Sequence, residues 1–183
     1  EKIIEYVGNG SRFGINIDFV FEDSPLGTGG ALKNARSFLE NNEKFFMING
    51  DILTKLDLKY LYNPVSGNVK ASIAVIPLQS SFGIVDIGSD DTVIGFREKP
   101  FLDGYWMNAG AYCLSNKIFD YLPDKGNIES TAFPDLASKD AIKAVKYNNT
   151  FWTSIDSHKD IENASVNLKD DLDFITKMYK HKQ

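Results

Sequence analysis

The run Lys44-Phe45-Phe46-Met47-Ile48 is apolar almost throughout and stops abruptly at Asn49-Gly50-Asp51. A strand that is apolar on both faces must be covered twice, as in a sheet with helices above and below. A polar cluster at its carboxyl end lies where open parallel sheets bind ligands. Similar strand-like runs occupy residues 70–77, 108–114 and 143–147, and a further strand is expected at 15–21. Helical spacing marks residues 1–7, 31–39, 56–62, 117–122 and 156–180. Residues 83–87 and 93–96 flank Gly88-Ser89-Asp90-Asp91 as a hairpin. Helices alternating with strands predict an α/β fold: three layers, α/β/α, around a mostly parallel mixed sheet.

The 183 residues make about one domain, and a hydrophobic share of 43% supplies one core. Residues 1–183 are therefore read as a single domain. The net charge of −5 is spread without a basic stripe, which argues against nucleic acid as a partner. No leader-like or membrane-spanning run occurs, so a cytoplasmic protein with no membrane partner is expected. The chain opens at Glu1 inside a helical pattern, which reads as a fold entered midway. The single cysteine, Cys113, lies in an apolar run and reads as a core residue rather than as half of a catalytic pair with His158 or His181.

Three polar clusters follow strand-like segments. In Glu22-Asp23-Ser24-Pro25-Leu26-Gly27-Thr28-Gly29-Gly30, glycines let a backbone pass close to a flat or charged ligand, and the following helix offers free N–H groups. An ordinary strand-to-helix turn accounts for the same composition, and no Gly-Lys-Ser/Thr follows to make a Walker loop. Asp51 suits either a helix cap or a Mg²⁺ ion, which takes one or two carboxylates along with substrate phosphates. Glu98-Lys99-Pro100 puts an acceptor beside a cation, the one suited to a hydroxyl and the other to a phosphate, although such pairs are commonly only solvated charges.

Together with Phe82-Gly83-Ile84-Val85, Asn108-Ala109-Gly110-Ala111-Tyr112 and the segment from Trp152 to Asp160, these clusters resemble the sugar-phosphate nucleotidyltransferases. The wording is closest to the mannose- and heptose-1-phosphate guanylyltransferases, and the likeness runs to about residue 165. It implies a Rossmann-like fold of the nucleotide-diphospho-sugar transferase type. It also implies transfer of a nucleoside monophosphate from a nucleoside triphosphate to a sugar-1-phosphate, with release of pyrophosphate and Mg²⁺ as cofactor. By that resemblance Asp51 is a metal ligand and Lys99 holds the sugar phosphate. Glu98, Gly83 and Asn108 contact the sugar, Glu22, Pro25, Leu26, Gly27 and Thr28 belong to the loop that reads the base, and Glu129 lies near the sugar pocket.

Two departures stand out. The family opens with a strand and an arginine-bearing glycine loop that grip the triphosphate, and neither occurs here, so little turnover is expected of these residues alone. Where the family often has Trp-x-Asp, this chain has Trp152-Thr153-Ser154, with Asp156 two positions later. Residues two apart on a strand share a face, so Asp156 is expected as the second metal ligand; the competing expectation is that Asp156 or Ser157 caps the following helix. Glu22 offers only acceptors, which suit the N1–H and 2-amino donors of guanine and make GTP the favoured donor. Two rival readings remain. One is a non-catalytic paralogue that binds a sugar nucleotide, favoured by Ser154. The other is transfer to a phospho-alcohol, with Tyr105 and Trp106 in an aromatic box for a quaternary ammonium. No hexapeptide repeat suggests an appended acyltransferase domain, and self-association is left open.

Overall fold

The computed structural model describes residues 2–169 and opens on helix α1 (Lys2–Val7). Its centre is a four-stranded sheet in the order β1, β6, β3, β7: β1 is Lys44–Ile48, β3 Ala71–Gln79, β6 Phe101–Ser115 and β7 Ile142–Lys146. β6 runs antiparallel to both β1 and β3, while β3 and β7 are parallel. Hence β1, β3 and β7 point one way, and β6 alone runs against them. Two small ladders complete the strands. β2 (Ile52–Thr54) pairs with β8 (Trp152–Ser154), and β4 (Ile84–Ile87) forms a hairpin with β5 (Val93–Arg97).

Both faces of the sheet are covered along β3 and β6, but Phe46 and Ile48 leave one face of β1 exposed, against the expectation for that run. On one face Tyr112 and Leu114 of β6 pack with Leu32 of α2 (Gly27–Asn34) and with Phe133 and Leu136 of α5 (Ala132–Ser138). On the other, Ala109, Ala111 and Cys113 of the same strand pack with Leu61 of α4 (Lys59–Tyr62), Val65 and Tyr147. The alternation of β6 thus divides the core into two layers. Cys113 is fully buried in the second, where burial pushes its thiol up from the ordinary value, so it is a core residue as expected.

Several expectations change. Residues 15–21 form no strand and pair with none among the described residues. Local bonds hold them instead: Ile17 N–H donates to Asn9 O and Asn34 Nδ2 to Phe21 O, while Phe21 stays exposed. Alternating residues favour an extended backbone, but a ladder also needs a neighbour. The helix expected at 31–39 begins earlier and breaks at Ala35 into α2 and α3 (Arg36–Leu39). The last helix, α6, spans His158–Asn167; the remainder of the expected helix beyond Lys169 lies outside the described residues.

Candidate functional site

Past its last paired residue, β1 still follows β6: Asn49 N–H donates to Gly110 O, continuing the Ile48–Ala111 register. The chain then turns through Asp51 into β2. Because Ile52 faces Ser154 and Ile155 N–H donates to Asp51 O across 2.8 Å, the segment carrying Asp156 runs directly beside Asp51. Among the described residues the Asp51 carboxylate has no hydrogen-bond or ion-pair partner. Asp156 is exposed, and its Oδ2 accepts from Ser154 Oγ at 2.8 Å. Capping of α6 falls to Ser157, which forms a capping box with Asp160. Asp156 is therefore not the cap.

Gly110 shapes the adjacent stretch of β6. Its φ is +69°, and a Cβ there would come within 2.9 Å of Ile52 Cγ1 and 3.1 Å of Asn49 Nδ2. Glycine both takes the conformation and permits the contact. The pairing with β3 is irregular here, stepping from Ile73–Tyr112 to Val75–Asn108. Across this irregularity Asn108 folds back on its own strand: Gly110 N–H donates to its Oδ1 at 3.0 Å, and its Nδ2 donates to Tyr112 Oη at 2.7 Å.

Tyr112 carries the connection onward. Its hydroxyl donates to Glu129 Oε1 at 3.4 Å, and Thr28 Oγ1 donates to Glu129 Oε2 at 2.7 Å. Burial of Tyr112 pushes its pKa up to about 12; the Asn108 hydrogen bond opposes this, and the charge of Glu129 adds to it. Asn108, Glu129 and Thr28, singled out separately in the sequence, thus meet through Tyr112, which the sequence reading quoted in its motif but gave no role.

The glycine loop is built differently from its sequence expectation. Gly126 O accepts from both Gly29 N–H and Gly30 N–H, and Asn127 Oδ1 accepts from Thr28 N–H. Three donors at the start of α2 are therefore committed within the protein, and the glycines make room for another loop. A Cβ at Gly27, whose φ is +75°, would lie 2.7 Å from Asn127 Oδ1. Ahead of the helix, Glu22 Oε2 accepts from Leu26 N–H at 2.9 Å, spanning Pro25.

The third cluster lies on the hairpin. β4 and β5 pair Ile84 with Arg97, so Gly83 and Glu98 follow as neighbours. A Cβ on Gly83 would sit 3.1 Å from Glu98 Oε2 and 2.6 Å from Phe96 Cζ. Lys99 has a φ of +44°, uncommon for a side chain of its size, and its carbonyl accepts from Gln79 Nε2 at 2.9 Å. Its ammonium is exposed and makes no ion pair among the described residues. Asp91 and Asp140 share such a positive φ, and backbone of this kind clusters at functional sites.

The second and third clusters lie at the carboxyl ends of β1 and β3, while the glycine loop is held against residues 126–129. A cleft of about 630 Å³ opens past β3 and β7, lined by Ile76, Gln79, Met107, Tyr147, Trp152 and Ser154 among others, but by none of Asp51, Lys99, Asn108, Thr28 or Glu129. Asp51 and Asp156 lie on adjoining segments, and Mg²⁺ takes one or two carboxylates along with substrate oxygens. Among the described residues no group of three or more His, Cys, Asp or Glu gathers for an all-protein metal cage. Trp106 already has Lys146 Nζ 4.7 Å from its ring centre, which leaves that face unsuited to a quaternary ammonium.

The model of the nucleotidyl transferase family matches residues 1–171, and the chain belongs to that family. It is 30% identical over 170 residues to mannose-1-phosphate guanylyltransferase of Mycobacterium tuberculosis, covering 88% of this chain and 46% of that protein. The chain thus spans about half the length of that relative. Among solved structures it is similar to HddC from Yersinia pseudotuberculosis, with 30% identity, a TM-score of 0.66, and coverage of 92% of this chain and 74% of that one. The structure of HddC complexed with GMP-PN matches at 31% identity and a TM-score of 0.65, covering 91% and 73%. The fold class read from the sequence agrees with these neighbours. No helix among the described residues is long and apolar enough to cross a membrane.

Proposed function

We propose that the protein transfers a nucleoside monophosphate, from GTP by preference, to a sugar-1-phosphate. The observation that carries this reading is the β2–β8 pairing, which runs the Asp156 segment beside Asp51. A phosphate oxygen of the sugar phosphate forms a bond to the α-phosphorus as the bond from that phosphorus to pyrophosphate breaks. No protein nucleophile is required, so the residues serve positioning and charge. Lys99 holds the sugar phosphate. Glu98, Asn108 and the backbone of Gly83 orient the sugar, with Glu129 at its border. Pro25 to Thr28 cradle the base, and Glu22 Oε1, which has no partner among the described residues, accepts from guanine donors. Asp51 and Asp156 would hold Mg²⁺, which when bound offsets the negative charge of the phosphates.

The test is pyrophosphate release with Mg²⁺, using both the 183-residue chain and the natural full-length protein. GTP, CTP, UTP, dTTP and ATP are crossed with mannose-, glucose- and heptose-1-phosphate. Release with one pair, lost in Asp51→Asn and Lys99→Ala, is expected. No release from folded full-length protein with any pair would favour a regulatory sugar-nucleotide binder.

A further inference from the structure

We propose that Tyr112 is a positioning residue whose one hydroxyl couples the Thr28 loop, through Glu129, to the carboxamide of Asn108. The inference deepens the reading above and rests on it, since that reading gives Thr28 to the nucleotide and Asn108 to the sugar.

Donor and acceptor chemistry fixes the direction of every bond in the chain. Gly110 N–H can only donate, so it fixes Asn108 Oδ1 as the end facing it. Asn108 Nδ2 must then donate to Tyr112 Oη. An ionised Glu129 can only accept, so Tyr112 spends its single hydrogen on Oε1. At the far end Ile128 N–H donates to Thr28 Oγ1 at 3.0 Å, and the Thr28 hydrogen goes to Glu129 Oε2. No hydroxyl in the line is free to rotate without breaking a bond.

Burial rigidifies the middle of the line. Tyr112 is fully buried, its ring centre 5.3 Å from that of Phe133. Asn108 and Thr28, at the ends, are exposed and accessible to ligands. The second hydrogen on Asn108 Nδ2 is left for a ligand, and its direction is set by Tyr112. The longest step, 3.4 Å from Tyr112 to Glu129, is the one with room to shorten. Hydrogen bonds in such sites are often long without substrate and tighten in the complex. A nucleotide seated on the Thr28 loop therefore sets the aim of Asn108.

The test uses the natural full-length protein. Tyr112→Phe keeps the ring and removes only the hydroxyl. The expected result is a kcat/KM for the sugar phosphate lowered about tenfold, with KM for the triphosphate held within about twofold. Tyr112→Phe combined with Asn108→Ala should be no worse than Asn108→Ala alone. Additive losses, or a Tyr112→Phe enzyme within about twofold of wild type, overturn the proposal. A second readout needs no turnover: the side-chain amide resonance of Asn108 in ligand-free protein carrying isotope-labelled asparagine. It should move in Thr28→Val, at the far end of the line, as well as in Tyr112→Phe. Thr28→Val carries this arm alone if Tyr112→Phe fails to fold. An unmoved resonance in Thr28→Val overturns the coupling. A moved resonance in an enzyme with no transfer activity keeps the coupling and rejects the reaction.

Discussion

The hydroxyl of Ser154 donates to Oδ2 of Asp156 across 2.8 Å, at the point where β8 leaves its pairing with β2. Residues two apart along an extended chain share a side, and the short serine reaches the longer acid. The bond orients one carboxylate oxygen and leaves the other open. If Asp156 helps hold Mg²⁺, Ser154 acts as its support, and losing such supports weakens metal affinity by about 10- to 100-fold. Ser154→Ala should raise the Mg²⁺ concentration for half-maximal pyrophosphate release within that range, and Asp156→Asn should raise it further. An unchanged Mg²⁺ dependence in Asp156→Asn would remove Asp156 from the metal site.

Gly27 should be the least replaceable glycine of its loop. Its φ is +75°, and an added Cβ would meet the side chain of Asn127 at 2.7 Å and the backbone of Gly126 at 2.8 Å. The left-handed conformation alone costs about 1–2 kcal/mol for an L-residue, and backbone atoms cannot swing aside. Gly27→Ala should therefore lose about 2 kcal/mol or more in a urea unfolding series. A loss of only a few tenths would mean that the 123–128 loop is not locked against α2.

These two regions differ in how far the sequence exposes them. The layered architecture was legible because the β3 and β6 strands carry apolar side chains on both faces, which a doubly covered sheet hides; β1 reads the same way, yet Phe46 and Ile48 stay exposed. Asp51, Lys99 and Glu98 were singled out because polar residues break off apolar runs at the strand ends. The partner of the glycine loop was not legible: Gly126 and Asn127 lie almost a hundred residues away, and no local pattern records which carbonyl meets Gly29 N–H. Tyr112 was hidden for another reason. An aromatic residue in an apolar strand has an ordinary core role, and its hydroxyl shows a second one only when Asn108 and Glu129 are seen beside it. The sole early hint is the i, i+4 spacing of Asn108 and Tyr112, which on a regular strand puts them too far apart to bond. The irregularity at Gly110 closes that gap.

Gly83 makes the opposite prediction to Gly27. An alanine there would press on Phe96 Cζ at 2.6 Å, but that ring is 64% exposed and free to swing. Stability should change by less than about 1 kcal/mol. The displaced methyl volume also pushes against Glu98 Oε2 at 3.1 Å. Gly83→Ala should accordingly raise KM for the sugar phosphate while leaving the melting temperature nearly unchanged. A melting temperature that falls with KM unmoved would make Gly83 a packing residue only.

Asp160 should shape the acid limb of stability. Hydrogen bonds from Ser157, and the backbone N–H of Asp156, hold its carboxyl below the ordinary aspartate value. A depressed carboxyl contributes stability above the unfolded-state value, near pH 4, and loses it as pH falls through the folded-state value. Asp160→Asn should melt below wild type at neutral pH, and the gap should narrow as the pH drops below about 4. A gap constant with pH would place the effect in something other than the charge.

The alkaline limb should belong to two buried tyrosines. Burial pushes Tyr112 and Tyr147 up to about 12; for Tyr147 the nearby charge of Asp57 adds to the effect, and its hydroxyl donates to Asp57 O at 2.8 Å. The unfolded chain ionises both near pH 10. Between about pH 10 and 12 the unfolded state therefore binds fewer protons than the folded one, and stability falls as pH rises. Below pH 10 the contribution of each is fully present. Each tyrosine adds at most about 1.4 kcal/mol per pH unit to the downward slope. Tyr112→Phe and Tyr147→Phe should each flatten that slope, and the double variant should flatten it by the sum, because the two rings belong to separate core clusters on opposite faces of the sheet. Urea unfolding at closely spaced pH values would measure it. If the slope survives in the double variant, lysine deprotonation rather than tyrosine ionisation drives alkaline unfolding.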